Sequence, residues 1–277
     1  ARPRLAGTAR HAVESPLMLQ ARLAPAQFWL LSTAGAASFL LLWSAVAMAG
    51  ITSRDFLPAP WDVVARFAHL TVEPFAGHTL LAHLASSFQR FATGFVLAIL
   101  VGIPLGLLMA WFPVVDRIVA PAFEAVRFVA PIAWVPFAAL WFGTGIGGPV
   151  LIIFMGAFPP VLINTYRGAK NVDLKYIEAA RMLGASHFRA MTQVLLPAAV
   201  PSIVAGLRIA AGLGWQSLVG AELIVASSGV GYLMVKGQAS VSTATVMSGM
   251  IAIGIVGLVI DVALRRVQWH IETRQGV

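Results

Sequence analysis

Glu178 to Pro197 reads EAARMLGASHFRAMTQVLLP, a polar stretch surrounded by apolar runs too long for a soluble protein. Asp173, five residues earlier, has a side chain suited to cap the exposed backbone N–H groups of a helix from Leu174 to Leu183. Gly184 then ends that helix, since glycine adopts the left-handed backbone conformation without a Cβ penalty. Ser186 caps a second helix with Phe188, Met191 and Leu195 on one face. Pro197 and Pro201 mark the re-entry into the membrane. The spacing therefore predicts a helix, a sharp turn and another helix, held in water. Ala179 and Ala180 beside Glu178 give it the flat, small surface that close docking against another protein requires.

Composition explains what lies on either side. A chain of 277 residues that is 59% hydrophobic and 11% charged has too little polar surface to cover a globule, so most of it belongs in lipid. Six runs approach the roughly 20 residues needed to cross a bilayer: Phe28 to Ile51, Phe88 to Phe112, Ile118 to Phe142, Pro149 to Tyr166, Pro201 to Ala226 and Thr245 to Leu264. Sorting the connecting segments alternately puts 13 Lys and Arg on one side and only Arg54, Arg66 and Lys236 on the other. Excess basic charge marks the cytoplasmic side. The expected organisation is a cytoplasmic tail at 1–27, which lacks the pattern of a signal peptide, a membrane domain at 28–266 with a cytoplasmic hairpin at 170–197, and a cytoplasmic tail at 267–277. The sequence pI near 11 is then topological bias, and a nucleic-acid partner loses its support.

The loop from Thr52 to Ser87 should lie on the outer face, with a short amphipathic helix starting near Pro60. His78 and His83, five apart, are expected on different sides of a helix near the outer surface. Ionisable side chains within membrane spans are costly and so are candidates for function. Arg127 follows Glu124 at i,i+3, a spacing that allows neutralisation. Arg208 lies about 10 Å into the fifth run, where an internal ion pair and direct contact with a transported molecule are both open readings. Glu222 falls near the outer end of that run and Asp261 near the inner end of the sixth. Arg90, at the outer boundary, is expected to snorkel. Trp215 and Gln216 occupy the outer half of the fifth run. Gly102 and Gly106 around Pro104, and Gly206, Gly212 and Gly214, are expected at close helix contacts.

Glu178-Ala179-Ala180, then Gly184, then Val194, Leu196 and Pro197 resemble the EAA motif of binding-protein-dependent ABC importer permeases. That pattern reads Glu-Ala-Ala, three residues, Gly, nine residues, Ile, one residue, Leu-Pro, and the sole departure is Val194 for Ile. The resemblance runs from about Phe56 onward and includes HLASSFQRFATGFVLAILVGIPLGLLMA, PIAWVPFAALWFG and GLRIAAGLGWQSLVGAELI, which are most similar to permeases of taurine, aliphatic sulfonate and nitrate importers. It implies an all-α integral membrane fold of six transmembrane helices, the type I importer permease fold. It implies a second copy of the chain, two ATPase subunits on the cytoplasmic face carrying ATP and magnesium, and a periplasmic binding protein. Glu178, Ala179, Ala180, Gly184, Leu196 and Pro197 would form the element coupled to the ATPase. Arg127, Arg208, Trp215, Gln216 and Glu222 become candidates for the translocation pathway. The implied setting is a bacterial inner membrane with both termini cytoplasmic.

The residues agree that the energy source is elsewhere. A phosphate-binding loop needs Gly-Lys followed by Ser or Thr, and the three lysines precede Asn171, Tyr176 and Gly237. GTGIGG at Gly143 to Gly148 fits a dinucleotide fingerprint formally but joins two membrane runs, where a turn is expected. No nucleophile elbow or paired-histidine zinc motif is present, and with no Cys there are no thiolate ligands. The expectation is a transport subunit without metal, cofactor or catalysis of its own. Other readings are a permease for a thiamin precursor or an aromatic carboxylate, or an ion-driven secondary transporter. Inverted repeats and paired intramembrane acids, which would favour the last, are not detected.

Overall fold

The computed structural model describes residues 25–50, 53, 55–143 and 145–275. Most of the expected N-terminal tail, with Arg2, Arg4, Arg10 and Arg22, lies outside them, as does Arg54. The chain divides into two compact units, Ala1–Ile51 and Thr52–Val277. The first contributes one helix, α1 (Pro25–Met48), which carries apolar residues all round and at 24 residues is about 36 Å long, enough to cross a bilayer.

In the second unit, α2 (Pro60–Val72) starts where the proline forecast it, with Asp62 accepting the backbone N–H of Ala59 at 3.2 Å. Next come α3 (Leu80–Trp111), α4 (Pro113–Arg127), a 3-10 turn (Pro131–Trp134) running into α5 (Val135–Phe142), and α6 (Gly147–Lys170). They are followed by α7 (Leu174–Met182), α8 (His187–Ala190), a π segment (Met191–Leu195) continuous with α9 (Leu196–Val225), α10 (Val230–Ala239) and α11 (Thr243–Gln275). Among the described residues there is no strand.

The core is a three-helix layer in which α6 packs against both α3 and α9, and missing side chains set the spacing. A Cβ on Gly94, Gly102 or Gly106 of α3 would come within 2.8 Å of Ile153, Val161 or Thr165 of α6. On the other side, a Cβ on Gly156 would meet Ser217 and one on Gly206 would meet Asn164 more closely still. Lipid offers no hydrophobic drive for helix association, so close backbone approach supplies the contact area instead. Gly212, expected at such a contact, has nothing within 4 Å of its Cβ position and faces open space.

One expectation about the spans needs correction. Ile118–Phe142 is not one helix: α4 and the segment from Pro131 to Phe142 meet at 91°. Ala130 adopts φ −57°, ψ 139°, the extended conformation imposed on a residue before proline, and Pro131 has no N–H to bond back across the break. Five helices are individually long and apolar enough to span, with this bent pair as a sixth. Pro197 and Pro201, at the expected re-entry into the membrane, do not interrupt the helix. The chain from His187 to Val225 is one helical rod of 39 residues, because a single widened turn, in which the Leu196 N–H reaches back to Met191, precedes Pro197 and absorbs its missing donor.

Candidate functional site

The polar hairpin has the predicted capping. Asp173 accepts the backbone N–H of Lys175 at 3.0 Å, and Ser186 that of Arg189 at 3.3 Å. At the turn Gly184 takes φ +81°. The Ala185 N–H bonds to Ala180 O, and the Gly184 N–H to Arg181 O, the paired reverse bonds of a glycine-terminated helix. Its tip is apolar: Met182 and Leu183 are 87% and 89% exposed, and Phe188 is exposed beside them. Glu178 and Ala179 are exposed too, and Ala180 is half-buried. Leu196 is half-buried and Pro197 exposed, one helical turn or more above the tip. The base is fixed by Ile177, Val172 and Met191 packing on Leu107 and Leu195. Trp111, the last residue of α3, is held from two sides: the Arg181 guanidinium lies 5.7 Å from its ring centre and the His187 ring meets it edge-on at 6.1 Å.

A second feature is a groove along α9. One cavity, of about 350 Å³, lies between α9 and the break in the bent span, with Arg127, Pro131, Gly156, Gln216, Ser217 and Gly220 in its walls. Another, of about 460 Å³, is walled by Arg208, Gly212, Gln216, Asp261 and Gln268. Leu213 and Gln216 belong to both, so the two form one furrow down the face of α9. Both arginines are ion-paired through Nε. Arg127 donates to Glu124 at 2.6 Å, and Arg208 to Asp261 at 2.7 Å, whose other oxygen accepts from Arg265 at 2.5 Å.

Trp215 and Glu222, candidates for the pathway, lie away from this furrow among buried residues. Trp215 is 5% exposed and packs on Phe91, with its indole N–H donated to Ile253 O at 3.1 Å. Position 215 faces the bundle, while its neighbour Gln216, about 100° round the helix, faces the furrow. Glu222 is 1% exposed and Arg90, expected to snorkel, is 4% exposed. The two form a buried ion pair at 2.9 Å. Glu222 also accepts from Ser87 at 2.8 Å and from the Gly231 N–H at 3.0 Å, while Arg90 donates to Ser228 O and Oγ. Snorkelling fails because an acceptor was already within reach inside the protein, at the N-terminus of α10. The two histidines were misplaced too. His78 precedes α3, and its ring meets that of His83 edge-on at 5.5 Å. His83 is fully buried, bonded to Phe75 O and to the Gly229 N–H.

Residues 102–277 match the family described as the binding-protein-dependent transport system inner membrane component. The chain belongs to that family. The permease is 36% identical over 252 residues to the taurine transport system permease protein TauC of Escherichia coli (strain K12), covering 88% of this chain and 91% of that protein. It is 33% identical over 248 residues to the bicarbonate transport system permease protein CmpB of Synechococcus elongatus, covering 87% of each. Among solved structures, an inward-facing form of the MetNI methionine ABC transporter superposes with a TM-score of 0.60 at 20% identity, covering 69% of this chain and 95% of that one. That likeness supports the fold alone. The permease is thus an inner-membrane transport component of the ABC importer class.

Proposed function

We propose that two copies of this chain form the membrane pathway of an ATP-driven importer for a small oxyanion. Taurine, an alkanesulfonate and nitrate are the proposed cargoes, with bicarbonate added by the likeness to CmpB. The observation that carries this reading is the hairpin. A capped, glycine-terminated turn presenting Met182, Leu183 and Phe188 to water is costly unless a partner covers it, and the EAA residues lie on its first helix. In this reading two ATPase subunits, holding ATP and magnesium, receive the hairpins on the cytoplasmic face. A periplasmic binding protein delivers the cargo outside, and closure of the ATPases tilts the membrane helices between outward and inward access. The basic residues favour this orientation, with both termini cytoplasmic. The furrow along α9 supports the dimer, because polar groups facing lipid are costly and a second copy would enclose them.

The test is a mild-detergent purification from the native host, wild type beside Glu178→Lys, with co-purifying proteins identified by mass. A P-loop ATPase that comes with the wild type and is diminished by the charge reversal is the expected result. A chain that retains no ATPase yet takes up substrate in liposomes on an ion gradient would overturn the reading.

A further inference from the structure

Both arginines of the furrow are held in the same manner. Each guanidinium gives its Nε edge to a carboxylate, Glu124 for Arg127 and Asp261 for Arg208, which leaves the terminal nitrogens outside the ion pair. Arg127 is further steadied by stacking on Phe128, its guanidinium carbon 4.4 Å from the ring centre. A guanidinium anchored through Nε keeps a planar two-nitrogen fork, which matches two oxygens of a sulfonate, carboxylate, carbonate or nitrate group. Between the two forks Gly212 leaves an opening in the wall, with nothing within 4 Å of its Cβ position, beside Leu213. The one polar side chain shared by both cavities is Gln216, whose amide donates to an oxyanion without adding charge.

We infer that this face of α9 carries two successive oxyanion stations, one at Arg127 and one at Arg208, with Gln216 serving both in the hand-over. Arg208 and Gln216 are eight residues apart, about 12 Å along the helix, a step that a small anion covers without leaving the reach of one arginine before meeting the next. The paired carboxylates have a function in this arrangement. An uncompensated arginine in a low-dielectric wall would hold an anion too tightly to release it, whereas a partly neutralised one gives the weak, repeated binding that conduction requires. The inference rests on the importer reading for the direction of travel and the class of cargo.

Because the chain contains no Cys, Gln216→Cys supplies one thiol per copy of this chain in the assembled permease, and labelling is read on this chain alone, separated from its ATPase after the reaction. The probes are two methanethiosulfonates of similar size, one bearing a sulfonate and the other a trimethylammonium group, with rates normalised to free cysteine. The anionic probe is expected to react several-fold faster, short of the roughly tenfold or more of a cleft lined by one sign of charge because Glu124 and Asp261 partly neutralise the arginines. Arg127→Gln or Arg208→Gln should each shrink that preference. Equal rates, a preference for the cation, or no reaction with either probe would overturn the stations. Taurine uptake by the wild type alongside equal labelling rates would remove the stations and leave the importer standing. Anion-selective labelling with no ATP-driven uptake of taurine, ethanesulfonate, nitrate or bicarbonate would leave the stations and remove the proposed cargo.

Discussion

At the scale of single residues, the Arg90–Glu222 pair is the most consequential interaction within one chain. Two charges withdrawn from water recover their desolvation cost only with further bonds to each; here Ser87, Ser228 and the Gly231 N–H supply them, and among the described residues only the Arg90 Nε is buried without an acceptor. Glu222→Ala would strand the Arg90 guanidinium and leave the start of α10 without its acceptor. The expected loss is about 3–5 kcal/mol, read as a lower unfolding temperature of the purified chain. The double variant Arg90→Ala/Glu222→Ala should lose less than the sum of the two singles, and strict additivity would show that the two side chains do not depend on each other. None of this was legible in sequence, where 132 residues separate the partners and position 90 sits at the edge of an apolar run. Arg127 and Glu124 were legible, because helical spacing alone brings them together.

At the scale of elements, the hairpin was readable nearly atom by atom. Asp173, Gly184 and Ser186 are local signals whose effect does not depend on the rest of the fold. Its attachment was not readable, because Trp111 reaches it from another helix. Trp111→Ala removes the ring that Arg181 and His187 both contact. Hydrogen exchange should then rise across residues 174–190 while α2 keeps its protection, and unchanged exchange in the hairpin would show that the apolar base suffices. The broken span was missed for a different reason. Hydropathy measures affinity for lipid, and a run that turns through 91° is as apolar as a straight one. Pro131 was the available signal, acting through the residue before it. Nor does sequence reveal the widened turn that accommodates Pro197.

At the scale of the whole molecule, folding and passage make separate demands on the same helix. One face of α9 is packed to backbone contact and the other is open, so substitutions on the two faces should have different consequences. Gly212→Leu adds a side chain where nothing lies within 4 Å and raises helix propensity by up to about 1 kcal/mol. The expected outcome is normal accumulation and thermal stability with transport lost, read by uptake in proteoliposomes. Uptake at the wild-type rate would show that the cargo does not travel along this face.

The continuity of the chain through Pro197 also has a mechanical side. His187 at the foot of the hairpin and Gln216 in the furrow lie on the same continuous rod, about 43 Å apart along its axis. A rod of that length is a lever: a 5° tilt about one end displaces the other by about 4 Å, comparable with the width of a small oxyanion. The widened turn at Met191–Leu195 and Pro201, less than two turns beyond it, where the ring removes a backbone hydrogen bond, are the places in the rod where compliance would dissipate the stroke.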